Sequence, residues 1–300
     1  MIFDEVAYLQ TLSHIGPAWR PTALPHAVLL RDIPGTALRD VLGPWPYATA
    51  PDPAGLPAAL AEMRAAGVVS FTGMVRPGAG TDPADYAGEG TRMALLKPHF
   101  VIDPAAGPPA PSARTRRNVA LGARHWSIDE APDRAEAAGT ADRLHRALQA
   151  RRRMSAMTRM PPGHFAALLA IPGIHALVAR AGTAIGAMII AAREAEETHL
   201  LHFLVDEDAI ATCPSYALMA HIGESWRHRG PVYMGGTPDG PDGPGVARFK
   251  ARWASGTRPT FLLTAIVQDD IYRRLAGDDG DSGYFPAYRR PGATIGAPPP

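Results

Sequence analysis

Residues 231–255, PVYMGGTPDGPDGPGVARFKARWAS, read as a buried strand, a glycine-rich loop and a basic amphipathic helix in immediate succession. A strand that ends in Gly235 and Gly236 lets backbone amides approach a ligand closely, because no side chain stands in the way. The helix that begins near Gly245 turns its positive dipole end to the same place, and Phe249 and Lys250 follow one turn inside it. The same residues also suit an ordinary strand-loop-helix connection whose glycines and prolines only make turns. The rest of the chain has to decide between the two.

Upstream, TADRLHRALQARRR (140–153) places Thr140 to cap a helix with leucines at helical spacing, and PPGHFAALLA starts a second helix on proline. HALVAR (175–180), a turn at 181–183, AIGAMIIAAR (184–193) and THLLHFLV (198–205) predict a three-strand antiparallel meander. Residues 214–229 predict a helix that starts at Pro214 and stops before Gly230. RPTFLLTAIV (258–267), downstream of the opening segment, closes the set as a strand. In the first half, 26–33, 68–75 and 92–103 read as strands, and 36–42 and 55–66 as helices. PAAGPPAPS (104–112) holds no regular element, and a helix from Ala113 to His125 follows with Arg114, Arg116, Arg117 and Arg124. A basic face of this kind is most often simply solvated. The domain boundary is placed in this region, dividing 1–125 from 126–300.

A chain of 300 residues suits about two domains. Hydrophobic residues at 46% supply both cores, while 30 glycines and 31 prolines mark a loop-rich globular protein. Thirty basic against 29 acidic residues give +1, so the chain as a whole carries no electrostatic footprint for DNA or an anionic membrane. Local patches are a separate matter. The single cysteine, Cys213, rules out an internal disulfide and a cysteine-cluster metal site, which fits a reducing, cytoplasmic location. MIFDEVAYLQ lacks the basic region of a secretory signal, and no apolar run is long enough for a membrane span.

The second-half order of two helices, three strands, helix, strand, helix and strand is that of the Gcn5-related N-acetyltransferase (GNAT) core. RRRMSAMTRMPPGHFAALLAIPGIHALVARAGTAIGAMIIAA, THLLHFLVDEDAIATCPSYALMAHIGESWRHRGPVYMGG, GVARFKARW and YFPAYR together resemble FemAB-like acyltransferases. The resemblance is dense over about 140–290 and thinner through GPWPYA (43–48) and LLKPHFVID (95–103). It implies a mixed α/β (α+β) fold of tandem GNAT-like domains, each with a central, mostly antiparallel sheet, and a cleft between them. Residues 1–125 would be the degenerate copy, and 126–300 the acyltransferase domain with its tail. It also implies acyl transfer to an amine of a small molecule, amino acid or peptide.

Such a transfer needs an amine without its proton, held against a thioester or ester carbonyl, and donors aimed at the oxygen that becomes negative. Acyl-CoA is the expected donor. The phosphate-binding loop usual in the wider superfamily does not occur in DAIATCPSYALMA, so the amides at Ser215 and Tyr216 are left as candidate phosphate donors. RPGAG (76–80) is read as a plain loop. Gly235, Gly236 and Phe249 complete the expected donor site. The resemblance places Lys250 in a Phe-Lys motif whose lysine stabilises charge on the transferring carbonyl. His199 and His202, three apart on one strand, are expected on opposite faces, and one of them is a candidate general base. That spacing is poor for a metal, and none is expected. Asp239 is a further candidate base, Asp242 can orient the amine, and Tyr288 and Arg289 can fold back over the substrate. Ser155 lacks the partners of a serine nucleophile. A second reading takes the aminoacyl group from tRNA, with Arg114, Arg116, Arg117, Arg151, Arg152 and Arg153 on its phosphates. A third makes the chain a non-catalytic binding module.

Overall fold

A computed structural model describes residues 1–76, 82–106, 109–152, 154, 156–238, 240–277 and 283–291. The chain begins with α1 (Val6–Gln10), β1 (Ala18–Trp19), β2 (Val28–Asp32), β3 (Arg39–Leu42), β4 (Ala48–Thr49), α2 (Leu56–Ala65), β5 (Val68–Arg76) and β6 (Thr91–Ile102). Next come α3 (Ala113–His125), β7 (Ser127–Glu130), α4 (Arg134–Arg151), α5 (His164–Leu169), β8 (Ile174–Ala181), β9 (Ala184–Arg193) and β10 (Thr198–Val205). It ends with α6 (Pro214–His221), β11 (Val232–Gly235), α7 (Gly243–Lys250), β12 (Gly256–Ile266) and α8 (Asp269–Ala276).

These elements form two compact units. The first contains Met1, Phe3–Lys97 and the described part of Pro259–Pro300; the second contains Ile2 and Pro98–Arg258. The division therefore differs from the expected 1–125 and 126–300. Residues 98–125 belong with the second unit because α3 packs on α6. The C-terminal residues belong with the first because β12 pairs with β5 over six positions, from Phe261–Val75 to Ile266–Ser70. A strand contributed from far along the chain leaves no compositional mark of where it pairs.

In the first unit β1, β2, β3, β5 and β12 lie in that order, with β4 also on β5. Val28, Val41, Phe71, Leu263 and Ala265 bury one core against α2, whose Leu56, Ala59 and Met63 face it. A second core gathers Ile33, Val69, Tyr272, Leu275 and Tyr288. The expected helix at 36–42 is instead β3. It runs between β2 and β5, parallel to β5, and Asp40, Val41 and Leu42 are all buried. A strand buried on both faces shows no alternation, so four residues of it resemble a helical turn.

In the second unit the strand order is β6, β11, β10, β9, β8 and β7. The meander β8–β9–β10 is as expected, and its first turn has Gly182 at φ 59°. β7, which the sequence reading missed, pairs with β8. Helix α4 starts well before Thr140, because the Asp133 carboxylate accepts hydrogen bonds from the N–H groups of Ala135 (2.7 Å) and Glu136 (3.1 Å). The expected single helix at 214–229 is α6 followed by a π-turn, Ile222–Trp226, and a 3₁₀ turn, Arg227–Arg229. Leu218, Met219, Ile222 and Trp226 from this run pack on Leu177, Ala187, Ile189, Val232 and Trp253. Among the described residues no helix is long and apolar enough to cross a membrane.

Candidate active site

The opening segment folds as read, and its strand makes an unusual pair. β11 runs parallel to β10, but the ladder between them consists of Thr198–Val232 and His199–Tyr233. β10 continues to Val205 and β11 to Gly235, so the two strands part beyond His199. Each is irregular where they separate. β10 has a bulge between Leu200 and His202 in its pairing with β9, and β11 shifts register against β6 between Tyr233 and Gly235. A bulge frees a residue from its ladder and bends the strand, and Gly235 takes φ 72°, a conformation that side chains disfavour. The result is a fork with unladdered backbone on both arms.

Lys250 sits at the end of this fork. Its Nζ donates to the carbonyls of Met234 (2.5 Å), Gly235 (3.2 Å) and Gly236 (2.5 Å). An ammonium has three N–H donors, and these three acceptors match them. The carbonyls past the ladder thus accept from a side chain. A Cβ at Gly235 would lie 3.7 Å from the same nitrogen. Lys250, expected to stabilise charge on a transferring carbonyl, lies beside the glycine-rich loop with its ammonium on backbone carbonyls. Phe249, expected on the donor, packs among Phe203, Tyr216 and Trp253 at centroid distances of 5.8, 5.8 and 6.4 Å.

The bulge corrects the expectation for the two histidines. Leu200, Phe203 and Val205 all pack toward α6, so the extra residue restores the alternation and puts His199 and His202 together on the opposite face. His199 is buried at 1% exposure, stacked on Tyr233 at 5.0 Å and held by Glu197 at 2.9 Å. The Tyr233 hydroxyl accepts from Arg258 (2.8 Å), which also pairs with Asp103 (2.9 Å). His202 is half-buried among His145, His164 and Phe165, with ring centroids at 6.4, 5.6 and 5.1 Å. The sequence reading missed this cluster, because its members come from α4, the start of α5 and β10 with no common spacing. Among the described residues no group of three or more His, Cys, Asp or Glu side chains is placed to hold a metal ion.

Burial, and then the neighbouring His164 and His145, hold His202 well below its ordinary value of 6.5. Burial also lowers His145, against a smaller opposing pull from Asp142. Such imidazoles stay neutral in the fold and take up protons on unfolding, so below pH 6.5 the unfolded chain binds more protons. The stability they contribute is complete above that pH and is lost as pH falls beneath it. His26 in the first unit, lowered to about 4 by burial against the pull of Asp4, adds to the same trend. The urea midpoint is expected to be flat from about pH 7 to 8 and to fall steadily from about 6.5 to 5. A midpoint unchanged at the acid end would contradict the neutral cluster.

The remaining candidates separate. Asp242, the residue before α7, pairs with Arg152. Asp239, Arg153 and Ser155 lie outside the described residues, as do positions 77–80 of RPGAG. The Tyr216 N–H donates to the carbonyl of Cys213 (3.1 Å), so it is not the free phosphate donor expected of it, and Pro214 has no N–H to add. The Tyr216 hydroxyl accepts from Arg252 (3.2 Å), while Ser215 is half-buried beside it. Arg114, Arg116, Arg117 and Arg124 on α3 are exposed. Tyr288 and Arg289, expected to fold back over the substrate, are engaged within the first unit. Tyr288 is 2% exposed, sharing a hydrogen bond with Ser70 (2.6 Å), and Arg289 grips Asp40 in the first unit at 2.5 and 3.0 Å. Groups committed to a buried carboxylate are not available to a ligand.

No protein-family profile and no curated protein matches this sequence. Solved structures do. The C-terminal domain (DUF2156) of a protein assigned as lysylphosphatidylglycerol synthetase from Agrobacterium fabrum is 14% identical, covers 88% of each chain and has a TM-score of 0.59. FemX is 10% identical over 82% of this chain and 85% of its own, with a TM-score of 0.60. L-PGS from Bacillus licheniformis is 14% identical over 87% and 91%, at 0.57. At such identity the likeness defines the fold alone, and this chain shares its fold with FemX and the other two.

Proposed function

We propose that this protein is an acyltransferase that moves an acyl group from a thioester or ester donor onto an amine, and that the fork between β10 and β11 receives the donor. The fork is the observation that carries the reading: two parallel strands that share two ladder positions and then separate leave an opening lined by backbone for an extended ligand arm. Lys250 occupies the carbonyls at the open end of β11. The amine lone pair forms the new C–N bond, the carbonyl oxygen becomes negative, and the C–S or C–O bond then breaks as the amine proton passes to solvent or to the leaving group. Fixed backbone N–H groups beside that oxygen favour the charged intermediate without reorganising. His202 has the better access of the two histidines, but its lowered basicity suits it to relay a proton more than to hold one.

Acyl-CoA is the first donor. An aminoacyl ester carried by tRNA is the second, favoured by the missing phosphate loop before α6 and by the lysylphosphatidylglycerol synthetase domain among the similar structures. Purified protein is to be heated with acetyl-CoA, longer acyl-CoAs and aminoacyl-tRNA, and product amide then sought with a mixture of amines. A donor present at about 100 times its Kd adds about 2.7 kcal/mol to stability, a shift of several degrees. A shift with acyl-CoA and release of free thiol support the first donor, and a shift with aminoacyl-tRNA alone supports the second. The proposal fails if neither donor stabilises the fold or yields an amide.

A further inference from the structure

We propose that the second unit carries a phosphate-binding pocket at the end of α4, built from Arg146, Gln149, Arg151, Arg152 and Arg159, which anchors a phosphate or diphosphate group of a substrate. These residues line an open cavity of about 740 Å³ whose other walls are Ala150 and Met154, with no acidic side chain among them. In a chain of net charge +1, four guanidinium groups around one cavity are a strong local excess. Two of the four are answered, Arg151 by Glu207 and Arg152 by Asp242. Arg146 and Arg159 are exposed and make no ion pair among the described residues. An Arg159 N–H donates to the carbonyl of Met154 (3.2 Å), which orients one edge of its guanidinium and leaves the others for a ligand.

Arginine at a helix C-terminus is ordinarily explained by the helix dipole. That explanation covers Arg151, which sits in the last turn of α4 and donates to the carbonyl of Ala147 (3.2 Å). It does not reach Arg159, which lies beyond the helix and returns to the same cavity. Guanidinium groups keep their charge at any accessible pH and present paired N–H donors that match the oxygens of phosphate, so several of them around one space suit a polyanion better than a single carboxylate. Arg152 also connects the pocket to the fork, since its partner Asp242 immediately precedes α7, the helix that carries Lys250. A phosphate in the pocket competes with Asp242 for that guanidinium.

The pocket deepens the acyltransferase reading, on which rests the identity of its phosphate as part of donor or acceptor. The test uses inorganic pyrophosphate as the probe, by calorimetric titration of the full chain at low ionic strength. Pyrophosphate is expected to bind, the double variant Arg146→Ala/Arg159→Ala to weaken it roughly tenfold or more, and Arg124→Ala on α3 to leave it unchanged. The variants are at exposed positions, and a melting curve for each shows that the fold is intact. No binding up to about 10 mM, or equal affinity in the double variant, overturns the pocket. Once a donor and acceptor are in hand, a raised KM for one of them alone identifies which carries the phosphate. Acyl transfer without pyrophosphate binding would sink this inference only, whereas pyrophosphate binding without any transfer would sink the enzymatic reading and leave the pocket standing.

Discussion

Lys250→Ala is expected to lower kcat/KM for acyl transfer by about 100-fold or more and to weaken donor binding along with it. The reason lies in what the ammonium touches. Its three N–H groups satisfy three consecutive carbonyls at the open end of β11, two of them at 2.5 Å. Removing it leaves those carbonyls facing one another without a donor, and the loop has to rearrange until water or a neighbouring strand supplies one. β10 is the neighbour, so relaxation tends to close the fork. Each hydrogen bond to a charged group is worth about 1.5–3 kcal/mol, but the half-buried site admits water, and a net loss of about 2–3 kcal/mol of stability is expected.

In the proposed reaction Lys250 is thus expected to act as a positioning residue, through the loop. A lysine that touched only the transferring carbonyl would show the opposite division, with kcat reduced and donor affinity intact. Lys250→Arg separates the two further. A planar guanidinium cannot point three donors at carbonyls that converge on one nitrogen, so it is expected to restore charge without restoring donor affinity. The measurements are the donor Kd and single-turnover rate for both variants. Wild-type donor affinity in Lys250→Ala would refute the positioning role, whatever happens to the rate.

Much of this unit could be read from sequence. Strands β8, β9 and β10 were legible because long apolar runs are interrupted at Gly182 and at a polar break. The strand, loop and helix around Gly235 were legible because glycine and proline fall where the backbone needs them. The faces of His199 and His202 were not. Strict alternation puts them on opposite faces, and one inserted residue at Leu201, which has no signature of its own, brings them to the same one. The start of α4 was mistaken for a similar reason, since Thr140 and Asp133 are both good caps and only the N–H groups that each can reach decide between them. The fork lay beyond sequence altogether, because it depends on where two strands part; of the arginine pocket, Arg151 and Arg152 were legible as phosphate contacts, but not their meeting with Arg146 and Arg159 around one space.

The largest stability effect is expected at Asp40. This carboxylate is wholly buried and is shared by Arg31 (2.8 Å), both donors of Arg289 (2.5 and 3.0 Å) and the Tyr288 hydroxyl (3.2 Å). It fastens the C-terminal residues to β2 and β3, while Tyr288 itself joins the core of Ile33, Val69, Tyr272 and Leu275. The sequence separates these partners by up to 249 positions, so nothing in YFPAYR reveals that its arginine is structural. Asp40→Ala leaves two guanidinium groups facing each other with no carboxylate between them, at side-chain exposures of 11% and 20%. Breaking a buried pair from one side costs about 3–5 kcal/mol, which for a chain of this size lowers Tm by roughly 10 °C. Arg289→Leu should cost less, because Asp40 keeps Arg31 and the less buried half of the pair is the half removed. If both variants melt within a degree of the wild type, the network does not hold the tail. If Asp40→Ala falls far below Arg289→Leu, the buried carboxylate is the fastening point, and Tyr288 and Arg289 serve the fold rather than the substrate.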